Sequence, residues 1–327
     1  MRYFVFLLMI SNYLGTAQVQ KHRAVTLMGS RFDITVVAND SASAERYIDD
    51  AIYEIDRIEN LISEWRPHTQ VAEINKNAGK KPVKVDQEVI RLTQTALKFS
   101  ERTKGAFDIS IVAMDKIWKF DGSMTEKPSD EAIKKSIEKV NYHWIEVDTV
   151  QSTIFLKKEG MKIGFGSLGK GYAADKAREL LENKGVKAGI INASGDLTTW
   201  GKQENGKYWS IGITNPFDTN DFIGIYKLYR WAVTTSGNYE KFVEIDGIRY
   251  SHIINPKTGW PTAGLCSVSV FGPSAETANG LSTSIMVLGE DLGLKLLKNF
   301  PNYSALLISD KGKVIKSDNF KKGKFKK

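Results

Sequence analysis

An α+β fold in one compact unit, with mixed and antiparallel strands flanked by helices, follows from three features of the sequence. Strand-like runs of alternating polarity and helix-like runs with apolar side chains three or four apart are interleaved without regular βαβ spacing. No stretch repeats another, which argues against a solenoid or propeller. The 327 residues are 42% hydrophobic and 26% charged, with only 8 prolines, a balance that builds a core rather than a disordered chain.

The first residues stand apart from this pattern. Arg2 precedes the apolar run Tyr3–Ile10, and Leu14-Gly15-Thr16-Ala17 ends in small residues that fit a signal-peptidase site, so residues 1–17 read as a signal peptide. A short strand or anchor is the alternative, but the run is too short to span a bilayer comfortably. No cysteine follows it to carry a lipid, which points to a soluble exported, periplasmic protein that does not span a membrane once the signal is removed. Removal takes away one charge, Arg2, and lowers the net charge from +8 to +7. Much of the excess lies in a basic flexible tail, residues 321–327, and no basic patch of the kind that binds nucleic acid is present. The folded unit therefore covers residues 18–320. Its single cysteine, Cys266, cannot form an internal disulfide and is expected to be a buried thiol in the alternating run 265–270.

Taken in order, Ala24–Ser30 and Phe32–Val37 read as strands around a glycine kink. Asn39-Asp40-Ser41 then caps a helix whose residues Ala44, Ile48, Ala51, Ile55 and Ile58 share a face. A second amphipathic helix spans Gln87–Arg102, and Ser129 caps a shorter one to Lys139. Residues 144–157 read as a hairpin. A helix after residue 169 ends near Lys184-Gly185, and a strand from Ala188 to Asn192 follows. From Trp209 to Tyr250 short strands form a meander with Asp246-Gly247 as a turn. Helices Glu276–Leu288 and Asp291–Asn299 precede a closing strand pair around Asp310-Lys311-Gly312.

The stretch Gly164–Asp175, GFGSLGKGYAAD, is the centre of the chemistry. Its glycines let backbone amides approach a ligand, the helix start after them adds unpaired N–H groups, and Lys170 adds a mobile cation, a combination suited to phosphate. The same residues also fit a tight strand-to-helix connection with a solvated lysine. The stretch matches neither a Walker A loop nor GxGxxG.

Four polar clusters follow: Asn192–Asp196, Thr234–Tyr239, Ser251–Gly259, and Asn279 with Thr283. Each taken singly is ordinary turn chemistry. His252, one of four histidines, could take a proton from a hydroxyl delivered to it, or serve as hydrogen-bonded structure. No Gly-x-Ser-x-Gly elbow supports a serine hydrolase. Asn279 and Thr283 lie one helical turn apart with Glu276 on the same face, so an oxygen-lined cation site could form there.

In this order the clusters resemble the ApbE family, the FAD:protein FMN transferases. The resemblance covers nearly the whole mature chain. It rests on Met28-Gly29-Ser30, ISEWRPHTQVAEIN, GAFDIS, GSLGKGYAAD, NASGD, TTSGNY, SHIINPKTG and LSTSIMVLG. It implies an ApbE-like domain that binds FAD, uses Mg2+ and attaches FMN through a phosphoester to a threonine or serine of an exported or membrane redox partner, releasing AMP. Catalytic roles then fall to His252 and Lys170. FAD contacts fall to Met28, Ser63, Asn75, Asp108, Trp118, Gly166, Lys170, Asp196, Thr235, Ser236, Gly237, His252 and Ile253, and metal contacts to Asn279, Thr283 and the Ser167 carbonyl. Three usual aspartates are Asn238, Asn255 and Asn279 here, and the usual acid before the glycine loop is Gly164, so Glu276 or Asp196 would have to supply the anion missing at 279. Competing readings are an enzyme that hydrolyses FAD to FMN and AMP, and a flavin-binding protein without turnover. A solute-binding module would show two α/β lobes, which this chain does not.

Overall fold

Alternating side chains build the first hairpin, β1 (Val19–Leu27) and β2 (Ser30–Ala38), around Met28 and Gly29, both at positive φ. A computed structural model describes residues 18–239 and 241–320. The expected signal peptide, residues 1–17, and the expected flexible tail, residues 321–327, lie outside the described residues. After the hairpin come α1 (Ser41–Ile62), α2 (Gln70–Lys76), β3 (Val83–Lys84), α3 (Gln87–Arg102), α4 (Asp130–Ser136), β4 (Ile145–Asp148), β5 (Thr153–Leu156) and α5 (Gly169–Asn183). The second half holds β6 (Ala188–Ala193), β7 (Asp196–Trp200), β8 (Trp209–Asn215), β9 (Asp218–Leu228), β10 (Ala232–Gly237), β11 (Phe242–Ile245), β12 (Ile248–Ser251), β13 (Leu265–Gly272), α6 (Ala275–Leu297), β14 (Ser304–Ser309) and β15 (Val314–Lys316).

Eight strands form one sheet in the order β1-β2-β6-β7-β10-β13-β14-β15. The α+β expectation holds. Every described ladder is antiparallel, so the antiparallel kind alone makes the sheet where mixed pairing was also expected. Helices α1, α5 and α6 cover one face, where Phe32, Ile34, Ile55, Ala174, Val268 and Ile285 are fully buried. The hairpin β8-β9 covers part of the other face, packing Ile213, Tyr226 and Leu228 with Val233, Phe271 and Phe320. The stretch from Trp209 to Tyr250 is therefore not a meander. β10 inserts between β7 and β13, while β8-β9 and β11-β12 form separate two-stranded sheets.

Local chemistry sets the helix ends. Asp40 accepts a hydrogen bond from Ser43 N at 2.8 Å and starts α1. Helix α3 spans the residues its periodicity predicts, whereas α4 stops at Ser136, short of Lys139. Gly289, at φ 78° and ψ −178°, breaks the last helical stretch into the two segments expected. Cys266 is free and half-buried rather than buried. Among the described residues, no helix is long and apolar enough to cross a membrane.

The contact that positions the site is the crossing of α5 and α6. At Gly171 the chains come so close that a Cβ would lie 2.5 Å from the Ala275 carbonyl oxygen. Asp175, largely but not fully buried on α5, accepts hydrogen bonds from Ser274 Oγ at 2.8 Å and Glu276 N at 3.0 Å, so one helix caps the other. Burial pushes the Asp175 carboxyl up, and Arg178, 3.3 Å away, pulls it down.

Candidate active site

Three elements bring Lys170, Asp196 and Asn279 together. Lys170 lies in the first turn of α5, Asp196 begins β7 after the tight turn Ser194-Gly195, and Asn279 faces them from α6. Lys170 Nζ is 3.5 Å from Asp196 Oδ2, and Asn279 Nδ2 donates to Asp196 Oδ1 at 3.0 Å. Asp196 is 3% exposed, and burial pushes its carboxyl up to about 6 against the pull of Lys170. Asn279 Oδ1 is buried without a hydrogen-bond partner. One turn along α6, Ser282 and Thr283 meet Ser236 at 2.8 and 3.4 Å.

Glu276 does not supply an anion to this group. It turns toward α3, where Arg91 lies 3.6 Å away, because the N-terminal end of α6 points at Asp175 and α3. The carboxylate beside Asn279 is Asp196. Among the described residues there is no group of three or more histidine, cysteine, aspartate or glutamate side chains able to hold a metal. The orphaned amide oxygen of Asn279, the Thr283 hydroxyl and one carboxylate nevertheless form an oxygen donor set that fits a hard cation sharing its remaining positions with phosphate and water.

Two cavities flank the glycine loop, with the exposed Trp65 as their common wall. The smaller, about 340 Å³, is lined by Asp108, Trp118, Ser167, His252, Ile253 and Thr283 among others. The larger, about 530 Å³, is lined by Met28, Ser30, Ser63, Glu64, Gly166 and Lys170 among others. Consecutive loop residues thus face different cavities: Gly166 one, Ser167 the other. The start of α5 beneath them has no side-chain cap.

The remaining predicted residues hold the frame. Asn75 clamps the chain entering the loop, donating to Ile163 O at 2.9 Å and accepting from Ile163 N at 2.8 Å. Asp108 accepts from Ser110 N, Ser110 Oγ and Tyr142 N, which ties the wall of the smaller cavity. Trp118 donates to Gly259 O at 3.0 Å and stacks on Tyr250, fixing the turn after His252. Strand alternation separates Ser236, which faces α6, from Thr235, whose hydroxyl pairs with Ser269 on the opposite face. Gly237 leaves room for the Tyr239 ring. His252 Nδ1 is 3.0 Å from the Lys241 carbonyl, which can only accept, so this nitrogen carries the proton and a neutral ring keeps its lone pair on Nε2.

Glu59, Glu64, Trp65 and Arg66 have no individual role in the sequence reading, although the last three lie within ISEWRPHTQVAEIN. Glu59 Oε2 accepts from Met28 N at 2.8 Å and pairs with Arg66 at 3.0 Å, anchoring the β1-β2 turn at the larger cavity. Glu64 takes the space beside Gly164, where the resemblance leads one to expect an acid: a Cβ at 164 would lie 2.9 Å from Glu64 Oε1. A glutamate at the end of an amphipathic helix carries no sign in sequence that it will turn inward.

The ApbE family profile matches residues 28–307. The FAD:protein FMN transferase of Klebsiella pneumoniae (strain 342) is 30% identical over 302 residues, covering 92% of each chain. That of Treponema pallidum (strain Nichols) is 29% identical over 311 residues, covering 90% of this chain and 86% of its own. The crystal structure of the ApbE protein from Thermotoga maritima superposes with a TM-score of 0.83 at 30% identity, covering 93% of this chain and 98% of that one. With a family match over most of its length and the same fold in a solved relative, the chain belongs to the ApbE family.

Proposed function

We propose that this chain is an exported, periplasmic FAD:protein FMN transferase that uses Mg2+ and attaches FMN to a threonine or serine hydroxyl of a redox partner, with AMP as the leaving group. The observation that carries this reading is the pair of unequal cavities meeting over Gly166 and Ser167, with Lys170 on the wall of the larger one. A dinucleotide with two ring systems joined by pyrophosphate has that shape. By size, the isoalloxazine belongs in the larger cavity beside Met28 and Trp65, and the adenine in the smaller one beside Trp118 and Ile253.

Lys170 and the uncapped start of α5 hold the pyrophosphate and its charge. Mg2+, held by Asn279 Oδ1, the Thr283 hydroxyl and the Ser167 carbonyl next to Asp196, would supply Lewis-acid polarisation of the phosphates. The acceptor hydroxyl attacks the phosphorus on the FMN side, and its proton passes to His252 Nε2. The new oxygen–phosphorus bond forms as the bond to the bridging oxygen breaks, and AMP departs with that oxygen. Ionised Asp196 keeps Lys170 protonated, and Lys170 neutralises the departing phosphate.

The test is incubation of the purified protein with FAD and Mg2+, scoring AMP release, and coexpression with candidate acceptors from the same genome, scoring covalent flavin fluorescence on a denaturing gel. A fluorescent acceptor band that disappears in His252→Ala supports the reading. AMP release without any labelled acceptor would favour FAD hydrolysis, and bound flavin without AMP would leave a binding protein.

A further inference from the structure

Glu64 follows Ser63, the residue that ends α1, and lines the larger cavity together with Gly166 and Lys170. Its carboxyl is tucked against the glycine loop, where Oε1 fills the room that a side chain at position 164 would need. The φ of Gly164 is not positive, so the backbone does not require glycine there; the space does. Val112 closes the same gap from the other side.

The polar groups around Glu64 are already committed. Glu59 holds Met28 N and Arg66, Arg66 also reaches Asp56 and Asn60, and Lys170 is drawn to Asp196. Among the described residues no ion pair includes Glu64, and only its own backbone N–H helps to hold its charge; burial pushes the carboxyl up. Apart from that N–H, this partly buried carboxyl has no protein donor among the described residues and is open to one from a ligand in the cavity. Phosphate offers mainly acceptor oxygens and would repel it, so the phosphates belong at the Lys170 side of the cavity. The ring N–H groups of a flavin, or the hydroxyls of its ribityl chain, are donors.

Resting on the flavin-transferase reading above, we propose that Glu64 determines specificity for the flavin half of the substrate by accepting a hydrogen bond from a ring N–H or a ribityl hydroxyl. Gly164 is then the position that keeps this carboxyl free to turn inward.

The experiment is fluorescence titration of the full mature chain with riboflavin and with lumiflavin, which keeps the ring but lacks the ribityl chain. Glu64→Gln, nearly isosteric, keeps an acceptor oxygen but loses the charge and should weaken riboflavin binding by about 10-fold, the difference between a charged and a neutral hydrogen bond. An equal loss for lumiflavin assigns the donor to the ring; loss for riboflavin alone assigns it to the ribityl chain. Gly164→Ala, which displaces the carboxyl without removing it, should reproduce the loss, with circular dichroism checking that both variants are folded. Wild-type affinity of Glu64→Gln for both flavins overturns the proposal. Failure of the wild-type protein to bind either flavin would instead remove the reading on which it rests.

Discussion

Asn279 Nδ2 donates to Asp196 Oδ1 across 3.0 Å, and the other oxygen of the same carboxylate faces Lys170 Nζ at 3.5 Å. One buried anion is thus shared by an amide and an ammonium. Two facing carboxylates at this spacing would repel and retain a proton between them unless a cation intervened. The asparagine removes that conflict in the ligand-free protein and leaves its own Oδ1 without a partner, ready for a cation or another donor.

Asn279→Asp tests this balance. Without Mg2+ the variant should lose about 1–3 kcal/mol of stability, because a second carboxyl must be buried beside Asp196. With Mg2+ it should gain more thermal stability than the wild type does, and the Mg2+ concentration for half-maximal AMP release should fall. Thermal unfolding with and without Mg2+ measures both. Glu276→Gln should leave the Mg2+ response unchanged, since that carboxyl faces Arg91; a larger effect there than at Asn279 would contradict the assignment.

Asp196 also predicts a pH dependence for the metal-free protein. Its folded value of about 6 lies above that of an unfolded aspartate, about 4, so between these values the folded state binds a proton that the unfolded chain has lost. In EDTA the contribution of this group to stability is fully present below about pH 4 and is lost as pH rises through about 6, by roughly 2–3 kcal/mol. Denaturant titrations across this range should show the slope in the wild type and not in Asp196→Asn. An identical slope in the variant would assign it to another group.

Much of the fold was legible because its signals are local. The α1 cap at Asp40, the full span of α3, the hairpin made by β4 and β5 and the break at Gly289 each depend on residues close in sequence. Strand order was not legible: β6 lies against β2, and β10 between β7 and β13, through pairings whose partners are far apart in the chain. The site divides the same way. Lys170, Asp196 and His252 sit in recognisable polar clusters, whereas Glu59 and Glu64 gain their positions only when α1 docks beside Met28 and Gly164. Glu276 was misread because helical spacing puts it on the face of Asn279, while the neighbouring α3 draws it away.

His252 is the proposed base, its ring oriented by the bond from Nδ1 to the Lys241 carbonyl. His252→Ala should slow flavin transfer by about 100-fold or more, the scale of a lost general base, and leave FAD affinity within a few-fold. Single-turnover transfer and flavin titration separate the two effects. Unchanged transfer would remove the role, and lost FAD binding would make the histidine a binding contact instead.

Two glycines of the loop should separate stability from ligand binding. At Gly171 a Cβ would meet the Ala275 carbonyl oxygen at 2.5 Å and carbonyl carbon at 2.7 Å, both backbone atoms that can yield only if α5 and α6 move apart. Gly171→Ala should therefore cost about 1–3 kcal/mol of stability, the range for forced overpacking. Because that movement would carry Lys170 away from Asn279, it should also weaken FAD binding. Gly166 is the opposite case: no atom lies within 4 Å of its Cβ position, and it faces the larger cavity. Gly166→Ala should leave stability within about 0.5 kcal/mol while reducing flavin affinity, since the added methyl enters only the space a ligand would use. Thermal unfolding and flavin titration of both variants decide the matter. Equal losses of stability would mean that both glycines serve packing, and unchanged flavin affinity in Gly166→Ala would show that the ligand does not approach the loop at this residue.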